Sequence, residues 1–191
     1  MKTSIIGVLL LLQLMIGGQA LATKVKIGYF ELPPHMYQGE NSNAQGASVN
    51  YFNQVFKQMD YEVEWVGPLP YMRLLKMIEK GQIDALPLMQ ESEKEPLFQF
   101  PDAPYYSPQP VLFVKKSNPL QQVQSIDDIR GLTIGFIAGV EPSPFIKTHE
   151  KELKMEYMAQ QDWLELNLMK LKRNRIDAVY GLNQVSTQGE I

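Results

Sequence analysis

The chain has 191 residues, of which 45% are hydrophobic and 20% charged, with no cysteine and a net charge of −3 at pH 7. This is the balance of an ordinary globular protein. It excludes disulfides and lipid attachment through an N-terminal cysteine, and with no basic block it excludes sustained nucleic-acid binding.

The N-terminus comes first. Lys2 supplies a short positive start, residues 5–16 are apolar except for Gly7 and Gln13, and Ala20-Leu21-Ala22 forms a small-x-small exit. The pattern predicts a signal peptide over residues 1–22, cleaved after Ala22, and hence an exported protein. Its apolar run is shorter than the roughly 20 residues that span a bilayer.

After it the chain reads as two similar runs. In the first, residues 24–30 alternate as a strand, and a loop with Pro33, Pro34 and Gly39 follows. Val49, Phe52, Val55 and Phe56 recur at helical spacing, with Tyr51 and Met59 beside them. Residues 61–66 alternate as a strand that Pro68 and Pro70 end. Residues 72–80 predict a helix with Leu74, Leu75 and Ile78 on one face and Gly81 as its stop. Residues 83–89 predict a third strand.

A proline-rich crossover, residues 100–108, leads to a strand at 111–114, a polar loop at 115–124 and a capped turn at Ser125 to Asp128. The second run then repeats the first. It predicts strands at 132–138, 154–158 and 176–180, with helices at 145–153 and 161–173, the latter carrying Leu164, Leu168 and Leu171 on its apolar side.

The closest echo lies where helix meets strand: Gly81-Gln82-Ile83-Asp84-Ala85 in one run, Asn174-Arg175-Ile176-Asp177-Ala178 in the other. Gly and Asn both accept the left-handed cap. Strand–helix alternation predicts parallel α/β sheets. Two runs favour two lobes, residues 23–107 and 108–191, over one larger α/β domain.

Catalytic signatures are absent from the sequence. His35 and His149 lie in different runs without metal-ligand spacing, and there is no Gly-x-Ser-x-Gly elbow and no Walker or dinucleotide glycine pattern. No catalytic residue, metal or cofactor is expected.

In order across nearly the whole mature chain, these motifs resemble those of the bacterial extracellular solute-binding proteins of family 3. They are Lys26-Ile27-Gly28-Tyr29-Phe30 followed by Pro33, Pro34 and Tyr37; Gly81 to Ala85; the Phe-x-x-x-Pro-Tyr-Tyr crossover from Phe100 to Tyr106, with Pro101 where Ser or Thr is usual; and Asp128-Ile129-Arg130-Gly131 with Gly139. The resemblance implies a two-lobed, type II periplasmic-binding fold, incomplete at the C-terminus because family members continue well beyond the Asp177 strand. It also implies a monomer that binds a small molecule without a membrane anchor.

Three positions depart from the family's amino-acid binders. Lys94 stands where an Arg usually pairs with the ligand carboxylate, and lacks its bidentate fork. Glu91 stands in place of a Thr, and Leu182, beside Asn183, in place of the Asp that holds the ligand amine. Amino-acid specificity is therefore not carried over.

A cleft between α/β lobes lies at strand C-terminal ends and helix N-termini. This places the candidate ligand-binding residues at Tyr29, Phe30 and Tyr37; Tyr71 and Arg73; Met89, Gln90, Glu91 and Lys94; Gly139 and Glu141; and Asn183. The expected function is capture of a small polar molecule, amino-acid-like or another small organic ion, for an ABC-type transporter. The alternatives are a sensing module for a signalling partner, a dehydratase-like enzyme on the same scaffold, and a non-functional truncated remnant.

Overall fold

The computed structural model describes residues 23–89, 98–107 and 109–181. The expected signal peptide, the tail with Asn183, and Gln90, Glu91 and Lys94 lie outside the described residues.

In the first half, β1 (Thr23–Gly28) pairs in parallel with β4 (Tyr61–Val66), Ile27 standing opposite Trp65. The loop between β1 and the first helix is more ordered than its prolines suggest. It holds a small antiparallel pair, β2 (Tyr37–Gln38) and β3 (Ala44–Gln45). Helix α1 (Ala47–Gln58) precedes β4, and α2 (Tyr71–Glu79) follows it with Tyr71 and Leu74 buried.

The strand expected at residues 83–89 shrinks to a single parallel bridge between Ile27 and Ala85. Gly28 donates its N–H to the Ala85 carbonyl at 2.9 Å, and no further ladder forms. Pro87 has no N–H to donate. Leu88 then takes φ 60, which turns the chain away from β1.

The second half carries a four-stranded sheet in the order β5-β8-β6-β7. Its strands are β5 (Val111–Phe113), β6 (Thr133–Ile137), β7 (Lys154–Met158) and β8 (Ala178–Gly181). β6 runs parallel to both neighbours, and β5 is antiparallel to β8. The expected turn before it is a 3-10 turn, Ile126–Asp128, in which the Asp128 carboxylate accepts the N–H groups of Gln124 and Ser125 at 2.8 Å each.

The helix expected at 145–153 is shorter than the pattern implied. Helix α3 (Pro144–Thr148) ends early, and a 3-10 turn (Glu150–Glu152) follows. Residues 149–152 are polar and supply no apolar stripe to carry the helix on. Helix α4 (Trp163–Lys172) buries Trp163, Leu164, Asn167 and Leu171.

The two helix-to-strand joints are built alike. After α2, Gly81 takes φ 64, and after α4, Asn174 takes φ 58. Gly81 N–H bonds to Ile78 O and Gln82 N–H to Met77 O; Asn174 N–H bonds to Leu171 O and Arg175 N–H to Lys170 O. This is the Schellman closure in both places.

The Asp that follows then clamps a strand of its own half, β1 for Asp84 and β6 for Asp177. Asp84 accepts the Lys26 N–H at 2.7 Å and donates its own N–H to Lys26 O at 2.8 Å. Asp177 does the same with Thr133, both distances being 2.8 Å. One continuous core joins the halves, from Tyr29, Leu74 and Ile83 to Ile134, Phe136 and Val179.

Candidate functional site

A cleft of about 1510 Å³ is lined from both halves and from the crossover between them. The first half contributes Leu32, His35, Tyr51, Phe52, Tyr71 and residues 84–89; the crossover contributes residues 98–107. The second half contributes residues 138–144, Lys147, Glu150, Tyr157 and Tyr180.

The prolines of the crossover set out an aromatic wall. Tyr105 stacks on Tyr51, with ring centroids 5.3 Å apart and planes 10° from parallel. Phe52 meets the same ring edge-on at 5.0 Å. The Tyr105 hydroxyl accepts the Leu88 N–H at 3.1 Å, tying the crossover to the chain leaving the Ala85 bridge. Burial, first of all, holds the Tyr105 phenol above its ordinary pKa. Tyr106 packs against the His35 ring at 4.6 Å. His35 is 9% exposed, and burial holds its imidazole below the ordinary histidine pKa.

The second half brings polar groups to the lining. Lys147 on α3 is ion-paired with Glu141 in the loop after β6. The Tyr157 hydroxyl donates to the Glu150 carboxylate. Burial, with that bond and the Glu150 charge behind it, raises the Tyr157 phenol well above its usual range. Ser143 donates its N–H to the Tyr180 hydroxyl at 2.9 Å, which anchors the loop to β8.

The halves approach each other at Gly139, which has φ +87. A Cβ there would stand 2.1 Å from Met72 Sδ and 3.2 Å from Tyr71 Cδ1. Bare backbone is what fits this gap.

Of the residues singled out from sequence, Tyr71, Met89, Gly139 and Glu141 line the cleft. Tyr29 and Phe30 are core residues, 1% and 2% exposed, and neither is among the lining residues. Backbone pairing with β4 continues one residue past β1, Tyr29 N–H reaching Val66 O at 3.0 Å. Tyr29 stands edge-on to Trp65 and Phe30 edge-on to Tyr71. Tyr37 is half-buried in β2 and Arg73 lies exposed on α2; neither is among the lining residues. Gln90, Glu91, Lys94 and Asn183 lie outside the described residues.

The sequence reading missed Tyr51, Phe52, Tyr105, Tyr106, Lys147, Glu150 and Tyr157 as lining residues. The paired tyrosines after Pro104 were the available signal.

The bacterial extracellular solute-binding proteins, family 3, match the chain over residues 25–177. No curated protein sequence matches it. Among solved structures it is similar to an ancestral arginine-binding protein bound to glutamine, at 21% identity and TM-score 0.70, over 84% of this chain and 70% of that one. It is similar to an ancestral amino acid-binding protein, a precursor of cyclohexadienyl dehydratase, at 17% identity and TM-score 0.69, over 83% and 70% of the two chains. It is also similar to the substrate-binding protein of an amino acid ABC transporter, at 19% identity and TM-score 0.67, over 83% and 69%. The fold is the two-lobed α/β architecture of type II periplasmic binding proteins.

Proposed function

The chain belongs to the bacterial extracellular solute-binding proteins of family 3, and from that premise we propose that it captures a small polar molecule between two lobes and delivers it to a membrane transporter of the ABC type. The observation that carries this reading is the cleft lined from both halves, with Tyr71 from one side meeting Gly139 from the other. Lobes that touch across a polar and aromatic cleft can close on a ligand and present the closed form to a partner.

In this reading the lobes are residues 23–107 and 108–191, and the ligand lies among Tyr71, Met89, Gly139, Glu141 and the Tyr51–Tyr105 stack. Gln90, Glu91, Lys94 and Asn183 join them as contacts proposed from sequence position alone. The protein works in the periplasm after cleavage behind Ala22. Capture is reversible and leaves the ligand chemically unchanged.

Thermal unfolding of the purified protein with amino acids, amines and small organic acids tests this. A true ligand at a hundredfold excess over its Kd adds about 2.7 kcal/mol, a rise of roughly 5–10 °C for a chain of this size. A cooperative melt that no ligand class moves would remove the capture reading.

A further inference from the structure

The cleft is unbalanced in charge. Among the described lining residues stand four carboxylates, Asp84, Asp102, Glu141 and Glu150, and one ammonium, Lys147. Lys147 is already paired with Glu141. The Asp84 carboxylate accepts the Lys26 N–H. Glu150 is held by the Tyr157 hydroxyl, a neutral donor, and has no cationic partner among the described residues. A carboxylate with a neutral donor keeps its full charge available to a ligand, whereas an anionic ligand would find no free cation among the described lining residues of the second half.

The aromatic part of the lining adds an independent reason. Tyr51 and Tyr105 are 45% and 38% exposed, and Phe52 closes the cluster from the side. Aromatic rings present negative faces that attract ammonium and guanidinium groups.

Resting on the capture reading above, we infer that the cleft takes a small organic cation, an amine or guanidine, recognised through its positive group and without need of a carboxylate on the ligand.

Calorimetric titration of the purified protein with agmatine, arginine, citrulline and glutamate separates the contributing groups. Agmatine lacks the carboxylate of arginine, and citrulline replaces its guanidinium by a neutral ureido group. The expected order is agmatine at least as tight as arginine, citrulline at least about tenfold weaker, and glutamate without heat, the gap being the scale of one hydrogen bond to a charged group. Citrulline or glutamate equal to arginine, or arginine binding without agmatine, would overturn the cation assignment and leave capture standing. Silence from all four overturns it as well. Capture then survives only if another compound raises the melting temperature.

Glu150→Gln should weaken agmatine by about tenfold, with the melting temperature of the free protein little changed because Glu150 is half-exposed. Tyr51→Leu, at an exposed ring, should weaken agmatine more than citrulline. Unchanged agmatine affinity in both variants would overturn the assignment.

Discussion

The indole N–H of Trp163 donates to the backbone carbonyl of Glu31 at 3.0 Å, a bond between residues 132 positions apart. Trp163 opens α4 in the second half of the chain and is 3% exposed; Glu31 lies just past β1 in the first half. The same indole stands edge-on to Phe136. Separating the lobes would break the bond and wet the ring. Trp163→Phe keeps an aromatic ring but loses the donor, and should cost about 1 kcal/mol of stability. Ligand affinity should fall several-fold with it, because the closed form is less favoured. Glu31→Ala should leave affinity nearly unchanged, since the acceptor is backbone. Binding titrations of the two variants decide this, and equal losses in both would refute a backbone latch.

Gly139 should tolerate no side chain. A left-handed backbone costs an ordinary residue about 1–2 kcal/mol, and Met72 Sδ occupies the space a Cβ needs. Gly139→Ala is expected to lower both the melting temperature and ligand affinity. Adding Met72→Ala should recover part of the affinity but not the backbone cost. No recovery would place the whole effect in the backbone.

The Asp84 and Asp177 clamps should be worth similar amounts. Each joins a carboxylate acceptor to a strand N–H. Asp84→Ala and Asp177→Ala should each cost about 1.5 kcal/mol in urea unfolding. They belong to different sheets, so the double variant should cost about the sum, within 0.5 kcal/mol. A cost in only one variant would show that the two joints, alike in geometry, differ in energy.

His35 should make stability depend on pH. Burial lowers its pKa in the folded protein. The unfolded chain, with an imidazole pKa of about 6.5, then binds more protons as the pH falls. Stability is therefore full above about pH 7 and declines as the pH drops through about 6.5 towards the folded value. Urea midpoints between about pH 5 and 7.5 should fall for the natural protein and stay flatter for His35→Gln. Equal slopes would assign the dependence to other groups.

Much of this molecule is legible in short stretches. The helix-to-strand joints at Gly81 and Asn174, and the capped turn at Asp128, are closed by hydrogen bonds between residues a few positions apart. Periodicity finds α1, α2 and α4 because a buried stripe repeats at the helical period. It fails at 83–89, where the fate of a strand depends on a distant partner and on Pro87 and Leu88.

What the sequence by itself determined is the order of the main helices and strands and the family pattern from the first strand to Asp177. The tertiary structure alone decided which side chains meet in the cleft. Tyr29 and Phe30 alternate as any strand end does, yet Trp65 and Tyr71 cover both. Tyr51 sits at a core-like helical spacing, yet it stays exposed against Tyr105. Local hydrogen bonds are written within a turn of chain, whereas burial is set by residues 40 or more positions away, as Tyr71 is from Phe30 and Tyr105 from Tyr51.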